Sequence, residues 1–302
     1  MDIALTNVHL DLGAGRRGTD MGPSALHVAG LVPALRRLGH TIEDIVSIGS
    51  PSFEARVHGD SHARFLPEIT KVVTQLADQT EAAMDAGRFP LVLGGDHSIA
   101  IGTITGMARS MRRKGERLGV VWVDAHTDMN TPESSPSGNI HGMPVACLLG
   151  RGPAALTSEL DPDGPAIHPE DIVLIGIRDV DPNEAKTVRE MGVRVYTMSE
   201  LDARGTAACL REALAQVTRH TGGIHISFDL DGVDPMHAPG VGTPVPGGLS
   251  LRESHLVCEW AAQTGRLVGM EMVELNPTRD VRNQTGELAR WLIESALGKS
   301  IL

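Results

Sequence analysis

The chain has 302 residues, with 27 Lys and Arg against 38 Asp and Glu, and so a formal net charge of −11. That balance argues against nucleic acid or an anionic membrane as a partner, since both would be repelled, and it mildly favours a cationic substrate. Hydrophobic residues at 41% and charged residues at 22% form an ordinary globular composition, while aromatics at only 3% leave aliphatic side chains to fill the core. Cys147, Cys209 and Cys258 are widely spaced and odd in number, which fits small core residues in a reducing compartment better than a disulfide framework. The N-terminal Met-Asp-Ile-Ala-Leu-Thr has neither a basic segment nor a long apolar run, so no signal peptide and a cytoplasmic location are expected. No stretch approaches the roughly 20 apolar residues of a membrane span.

In chain order, Asp2–Leu5 reads as a first strand, followed by a glycine-rich loop from Gly13 to Gly22. Pro23 can open a helix whose apolar positions run through Ala25, Leu26, Ala29, Leu31, Leu35 and Leu38. Thr41–Ile48 predicts a second strand and Leu66–Ala86 a helix ending near Gly87. Pro90–Leu93 is a short apolar run closed by Gly94-Gly-Asp-His-Ser98, with a helix from Ile99 to about Arg113. The strand Val120–Val123 comes next, then a loop rich in Ser, Pro, Gly and Asn as far as Gly142. Asp171–Ile177, Val193–Thr197, Gly223–Phe228 and Leu267–Val273 read as strands. Pro182–Met191, Leu201–Arg219, Leu251–Gln263 and Gln284–Leu297 read as helices. Alternation of strand and helix from end to end predicts one domain, residues 1–302, with a mainly parallel sheet covered by helices on both faces. A closed barrel is the structural alternative.

The stretch Val120–Asn130 organises the chemistry. Four apolar residues, as in a strand buried on both faces, lead into Asp124, His126 and Asp128, two apart and so able to share one side of an extended chain. A lone Asp-x-His-x-Asp is usually a solvated acidic loop. Here, however, other apolar runs end in the same way: Leu91-Val-Leu93 before Asp96 and His97, Ile224–Phe228 before Asp229, Asp231 and Asp234, and Val268–Val273 before Glu274 and Asn276. Parallel strands bring such ends together, where α/β sheets bind ligands. Two imidazoles and at least four carboxylates without a thiolate suit a hard ion such as Mn²⁺. They would repel one another without a cation. The pool exceeds what one ion commonly uses, which makes a two-metal site bridged by water the economical reading.

Gly94-Gly-Asp-His-Ser98, Asp124-Ala-His-Thr-Asp128 and Ser227-Phe-Asp-Leu-Asp-Gly-Val-Asp-Pro235 resemble the three signatures of the ureohydrolases, binuclear manganese enzymes that hydrolyse guanidino groups. The resemblance runs from Gly18-Thr-Asp-Met-Gly-Pro23 to Gly298-Lys299 and implies a three-layer α/β/α sandwich. By motif, His97, Asp124, Asp128 and Asp229 would bind one of two Mn²⁺ ions per subunit, and His126, Asp124, Asp229 and Asp231 the other. Asp124 and Asp229 would bridge the ions, with Asp234 outside them. The loop Asn130–Pro144 resembles that of the arginase branch of the family, where Asn130, Ser137 and Asn139 would hydrogen-bond the α-carboxylate of L-arginine. Arg178-Asp-Val-Asp-Pro182 would set Asp181, and Asp179 behind it, at the α-ammonium. Glu274 would take the guanidinium, and Thr243 matches a further site residue. Met143 departs from a position where a polar residue is common. The resemblance implies hydrolysis of L-arginine to L-ornithine and urea by a metal-bridging hydroxide, with Asp128 receiving a proton and His141 returning one to the leaving amine. It also implies a homotrimer or homohexamer, with no nucleic-acid or membrane partner. A sister enzyme acting on agmatine or another guanidino acid is the runner-up. A non-catalytic arginine-binding protein of the same fold would need neither the nucleophile nor the shuttle.

Overall fold

The computed structural model describes residues 1–300 apart from 53, 55 and 56. Its strands are β1 (Ile3–His9), β2 (Ile45–Gly49), β3 (Phe89–Leu93), β4 (Leu118–Val123), β5 (Ile172–Ile177), β6 (Arg194–Thr197), β7 (Gly223–Asp229) and β8 (Leu267–Val273). The helices are α1 (Gly22–Val28), α2 (Leu31–Arg37), α3 (Leu66–Asp85), α4 (Ala100–Arg113), α5 (Pro144–Leu148), α6 (Pro182–Met191), α7 (Met198–Arg204), α8 (Thr206–Val217), α9 (Leu251–Gln263) and α10 (Gln284–Ala296). The strands form one sheet in the order β2-β1-β3-β8-β7-β4-β5-β6, every pairing parallel. It has two free edges, β2 and β6, so the closed-barrel alternative is set aside. Among the described residues no helix is long and apolar enough to cross a membrane.

Strand side chains alternate between two helical layers, which accounts for the uninterrupted apolar runs. Val121, Val123, Ile226 and Phe228 pack with residues of α1, α2, α8, α9 and α10. Val120 and Trp122 face the other way, onto α4 and α5. The result is the three-layer α/β/α sandwich. All three cysteines are buried and free.

Boundaries moved where glycine or pairing intervened. The helix expected from Pro23 to Leu38 is two helices, because Gly30 takes a left-handed φ of 83° between them. Leu201–Arg219 likewise divides at Gly205 into α7 and α8. The first strand runs on to His9 because β2 and β3 both pair along it, whereas Thr41 makes only an isolated bridge to Asp2 and β2 begins at Ile45. The sequence reading contains no helix at α5, whose five residues are all buried. By contrast α6 and α9 lie where the pattern placed them. Asp181 caps α6 by accepting the amides of Asn183 and Glu184, and Ser250 and Glu253 form a reciprocal capping box at α9.

The helix pair α3 and α4 covers the sheet beside the future site, and it approaches closely only because α4 carries glycine. A β-carbon on Gly106 would lie 2.0 Å from the Ala77 carbonyl oxygen and 2.3 Å from Thr80 Oγ1. In an isolated helix Gly→Ala stabilises by about 1 kcal/mol. Here the opposite sign is expected: Gly106→Ala should destabilise the protein by about 1–3 kcal/mol through forced separation of α3 and α4. A lower urea midpoint at unchanged m-value is the readout, and an unchanged or higher midpoint would show that the two helices can part freely.

Candidate active site

The four central strands β3, β8, β7 and β4 end at one edge, and each carries its chain directly into a polar cluster. After β3 the chain turns at Gly94 and Gly95; a β-carbon on Gly95 would lie 1.7 Å from the Leu10 carbonyl oxygen, so only glycine fits. Asp96 then caps a short 3-10 turn, His97–Ile99, by accepting the Ser98 amide, and also holds Gly13 of the glycine-rich loop through its amide at 2.8 Å. This turn places the His97 ring over Trp122, with ring centroids 4.0 Å apart and nearly parallel.

His97 Nδ1 lies 3.1 Å from Asp124 Oδ2 and 3.2 Å from both Asp128 Oδ2 and Asp229 Oδ2, all essentially buried. None of those oxygens is aligned for a hydrogen bond to it, so a buried ring nitrogen and three carboxylates converge with no bond among them. The opposite ring nitrogen, Nε2, is 2.9 Å from Ser227 Oγ. On the other side of Asp124, His126 Nδ1 lies 3.4 Å from Asp124 Oδ1 and 3.2 Å from Asp231 Oδ2. Asp124 thus turns one oxygen to each imidazole. Two groups of ligand atoms result, His97/Asp124/Asp229 and Asp124/His126/Asp231. Oxygen and imidazole donors without thiolate fit hard divalent cations. The orphaned Nδ1 of His97 fits one in particular, because a ring nitrogen held open toward three carboxylates has no partner among the protein's own donors.

Neighbouring groups fix the carboxylates in place. Trp122 Nε1–H donates to Asp124 Oδ2 at 3.0 Å, and the His126 amide to Oδ1 at 2.7 Å. Asp231 Oδ1 accepts the Ala125 amide and its Oδ2 the Thr243 hydroxyl, while Asp229 Oδ1 accepts the Asp231 amide. Asp234 lies outside this group and accepts three backbone amides, from Met236, Gly247 and Gly248. The Arg178 guanidinium ties the same loop down through the carbonyls of Asp231, Gly232 and Val245.

Glu274 leaves β8 with a left-handed φ of 62°, and Asp128 sits at φ 50°. Such conformations cost of order 1–3 kcal/mol in a non-glycine residue and persist where surrounding structure imposes them. The turn points Glu274 back over β3, where Oε1 accepts the His97 amide at 3.0 Å and lies 3.0 Å from His141 Nδ1. Its other oxygen, Oε2, is buried without a hydrogen-bond partner.

A cleft of about 210 Å³ opens above the ligands, lined by His97, His126, Asp128, Asp229, Asp231, Asn130, Ser135, Pro136, Ser137, Asn139, His141, Gly142, Asp179, Asp181, Glu184 and Thr243. Asn130, Ser137, Asn139, Asp179, Asp181 and Thr243 are therefore brought to one cavity with the metal-type ligands. Asn130 Nδ2–H donates to Asp181 Oδ2 at 3.1 Å and Oδ1 accepts from the Ser134 hydroxyl, so one amide hydrogen of Asn130 is left over. Met143 is fully buried in an apolar cluster and does not line the cleft.

Sequence reasoning missed the parts that hold the ligands. Trp122 reads only as a strand residue, although it both stacks on His97 and anchors Asp124. Ser227, inside a quoted motif, carries no signal beyond being a polar residue in an apolar run. Glu184 is buried, lines the cleft and accepts the Met129 amide. Its only clue is a position three residues past the cap of α6.

Without a cation these groups share protons. Burial alone would lower the His97 imidazole, but the carboxylates of Asp124, Asp128 and Asp229 raise it well above the usual histidine range. Burial opposes a charged His126 in the same way, and Asp231 and Asp124 outweigh it. Burial followed by the charges of Asp231 and Asp124 holds Asp229 well above the carboxylate range, while burial and Asp124 push Asp128 up to about 7. Burial opposes charging of His141, but Glu274 raises it to about 9.

Comparison with known proteins follows the same lines. The family model described as Arginase family matches residues 1–298. An arginase of Bacillus caldovelox is 48% identical over 302 residues, 99% of each chain. Its structure superposes with a TM-score of 0.95, covering 100% of this chain and 99% of that one. An arginase of Bacillus subtilis (strain 168) is 45% identical over 300 residues, again 99% of each chain. The structure of an Entamoeba histolytica arginase in complex with L-ornithine, 34% identical, gives a TM-score of 0.91 over 99% of both chains.

The shared protons set the sign of a metal-binding experiment. Cation ligation needs neutral imidazoles and ionised carboxylates, whereas His97, His126 and Asp229, with their raised values, hold protons in the metal-free protein at neutral pH. Binding should release protons, and affinity for Mn²⁺ should fall as pH drops from about 8 to about 6. Titration calorimetry in buffers of different ionisation enthalpy reads the release. A binding heat independent of buffer would contradict the proton sharing described here.

Proposed function

The chain belongs to the Arginase family, and from that membership we propose that it hydrolyses L-arginine to L-ornithine and urea, using two Mn²⁺ ions per subunit. The observation that carries the metal reading is Asp124, whose two oxygens face two different imidazoles, an arrangement a single ion does not require. His97, Asp124, Asp128 and Asp229 would hold one ion, and His126, Asp124, Asp229 and Asp231 the other. When bound, such a pair lowers the pKa of a water molecule, so that hydroxide attack on the poorly electrophilic guanidinium carbon is available near neutral pH.

The chain's own residues do the rest. Glu274 Oε2, buried and without a partner, is the acceptor for a guanidinium N–H, while Oε1 is already held by the His97 amide. A fixed carboxylate of this kind orients the planar cation rather than merely attracting it. Asp128, which lines the cleft beside His97, would receive the proton of the hydroxide oxygen once it has added to the guanidinium carbon. His141 contacts Glu274 through Nδ1 and lines the cleft, and its raised value keeps it protonated at neutral pH, as delivery of a proton to the departing ornithine amine requires. At the far end of the cleft, Asn130, Ser137 and Asn139 would read the α-carboxylate, and Asp181, with Asp179 beside it, the α-ammonium. Agmatine keeps the amine and lacks only the carboxylate, so a cleft built for agmatine alone would not need Asn130, Ser137 and Asn139 as carboxylate readers. Assembly as a homotrimer or homohexamer in the cytoplasm extends the same reading on family resemblance.

Urea should form when Mn²⁺ and L-arginine are added, and far less from agmatine. Agmatine preference would move the assignment to a sister enzyme, and binding of arginine without urea would make the chain a sensor. Asp181→Asn tests the recognition end while keeping an N-cap on α6. Loss of one charge-assisted contact is worth about 1.5–3 kcal/mol, so kcat/KM for arginine should fall roughly tenfold to a hundredfold. An unchanged kcat/KM would show that Asp181 does not read the α-amino group.

A further inference from the structure

One buried ionisable pair has no part in the chemistry described above. His225 on β7 and Glu271 on β8 are both wholly buried, with Nε2 and Oε1 3.5 Å apart. None of their four side-chain polar atoms has a hydrogen-bond partner. Placing two such groups in an apolar interior costs several kcal/mol per ion, and well-packed hydrophobic residues would usually serve stability as well or better. The fold nevertheless makes room for them: residue 269 of β8 is glycine, and a β-carbon there would lie 3.1 Å from His225 Nδ1 and 2.5 Å from the end of Met107 on α4.

Register shows what the pair faces. Across β7 and β8, Ser227 stands opposite Glu271, and across β7 and β4 it stands opposite Trp122. Partners in parallel strands lie about 4.8 Å apart with side chains on the same face. Glu271 and Ser227 therefore sit side by side under α4, on the face where Trp122 carries the His97 ring. Ser227 Oγ is already 2.9 Å from His97 Nε2. If Nδ1 is to present its lone pair to a cation, Nε2 must carry the hydrogen and donate it to Ser227 Oγ. The Ser227 O–H then needs an acceptor of its own. Glu271 is the carboxylate beside it, with neither oxygen yet bonded to Ser227 or to another group, and burial against it is outweighed by His225, by the charge of His97 and by the nearby Thr103 hydroxyl, which keep its carboxyl below the usual range.

We propose that Glu271, anchored by His225, is a positioning residue for the metal ligand His97, acting through the Ser227 hydroxyl. The anion orients Ser227 as donor outward and acceptor inward, which fixes the tautomer of His97 and raises the basicity of Nδ1. The inference rests on the reading of His97 as a metal ligand, and its consequence is asymmetric. The His97 side of the pair of ions is reinforced in this way, while His126 is partly exposed and the carboxylate behind its outer nitrogen, Asp179 at 3.8 Å, is itself exposed and beyond hydrogen-bond distance.

Competition between the protein and a fluorescent chelator for Mn²⁺ measures both dissociation constants without reference to turnover. In Glu271→Gln one constant should rise about 10- to 100-fold, the usual effect of losing support behind a ligating histidine, while the other stays within about threefold. That constant should be the one His97→Asn abolishes. Glu271→Asp, which keeps the charge, should recover most of the affinity, and melting of the metal-free forms should confirm that the variants are folded. Two unchanged constants in folded Glu271→Gln, or an equal shift in both, would overturn the proposal. If Glu271→Gln does not fold, His225→Gln decides: loss of the anchor should weaken the same site by a smaller factor, and an unchanged constant would overturn the proposal. If His97→Asn leaves both constants intact, the metal-ligand reading itself fails and takes this inference with it.

Discussion

Like charges held together in a dry place are the constraint on which the rest of this molecule depends. Asp124, Asp128, Asp229 and Asp231 are all less than a tenth exposed and crowd around two imidazoles. Repulsion at such distances, outside bulk water, amounts to several kcal/mol per pair unless protons or cations intervene. Much of the surrounding structure resists the tendency of these groups to separate. Backbone amides from Ala125, His126 and Asp231, an indole N–H and a threonine hydroxyl each fix one carboxylate oxygen. A parallel sheet supplies this readily, because its strand ends gather amides and side chains at a single edge while helices on both faces keep water away.

The cost of that arrangement is visible in the backbone. Asp128 and Glu274 adopt left-handed conformations that ordinary residues avoid, and both are residues whose carboxylates must point back into the site. Neither could be replaced by a glycine that would relax the chain, since the carboxylate is the point of the turn. The hydrogen bonds that hold them there, from Val145 N–H to the Asp128 carbonyl and from Glu274 N–H to the Gly95 carbonyl, link the strained positions to α5 and to the glycine turn after β3. The conformations are thus imposed by hydrogen-bonded neighbours.

What was legible in the sequence follows from the same physics. Strands buried on both faces write continuous apolar runs, and carboxylates at their ends break those runs abruptly, so β3, β4, β7 and β8 and the polar clusters after them could be read directly. Period alone could not see that Gly30 and Gly205 interrupt helices whose apolar spacing carries on across the break. Nor could it separate Thr41 from β2, because strand pairing is decided by a partner far along the chain. Ser227, His225 and Glu271 were invisible as site residues because their roles exist only across strands, and Trp122 because its stacking on His97 does. Each looks like an ordinary member of its own strand, and only the register sets an indole beside a serine and a serine beside a glutamate.

The cleft divides by structural origin as well as by chemistry. Every group proposed for the metals and the guanidinium sits at a strand end or in the turn directly after it, held by the sheet. The groups proposed for the amino-acid end, Asn130, Ser137, Asn139, Asp179 and Asp181, come from the loop after β4 and from the start of α6, and three of the residues between Asn130 and Asn139 are exposed. Rigid strands hold the reacting atoms to the tolerance that catalysis demands, while loops can change length and sequence without disturbing the carboxylate cluster. Recognition of the substrate's α-carbon is therefore separable from the hydrolytic machinery. The Asn130–Asp181 hydrogen bond ties the loop after β4 to the cap of α6, and the Met129 amide reinforces it by donating to Glu184 of the same helix.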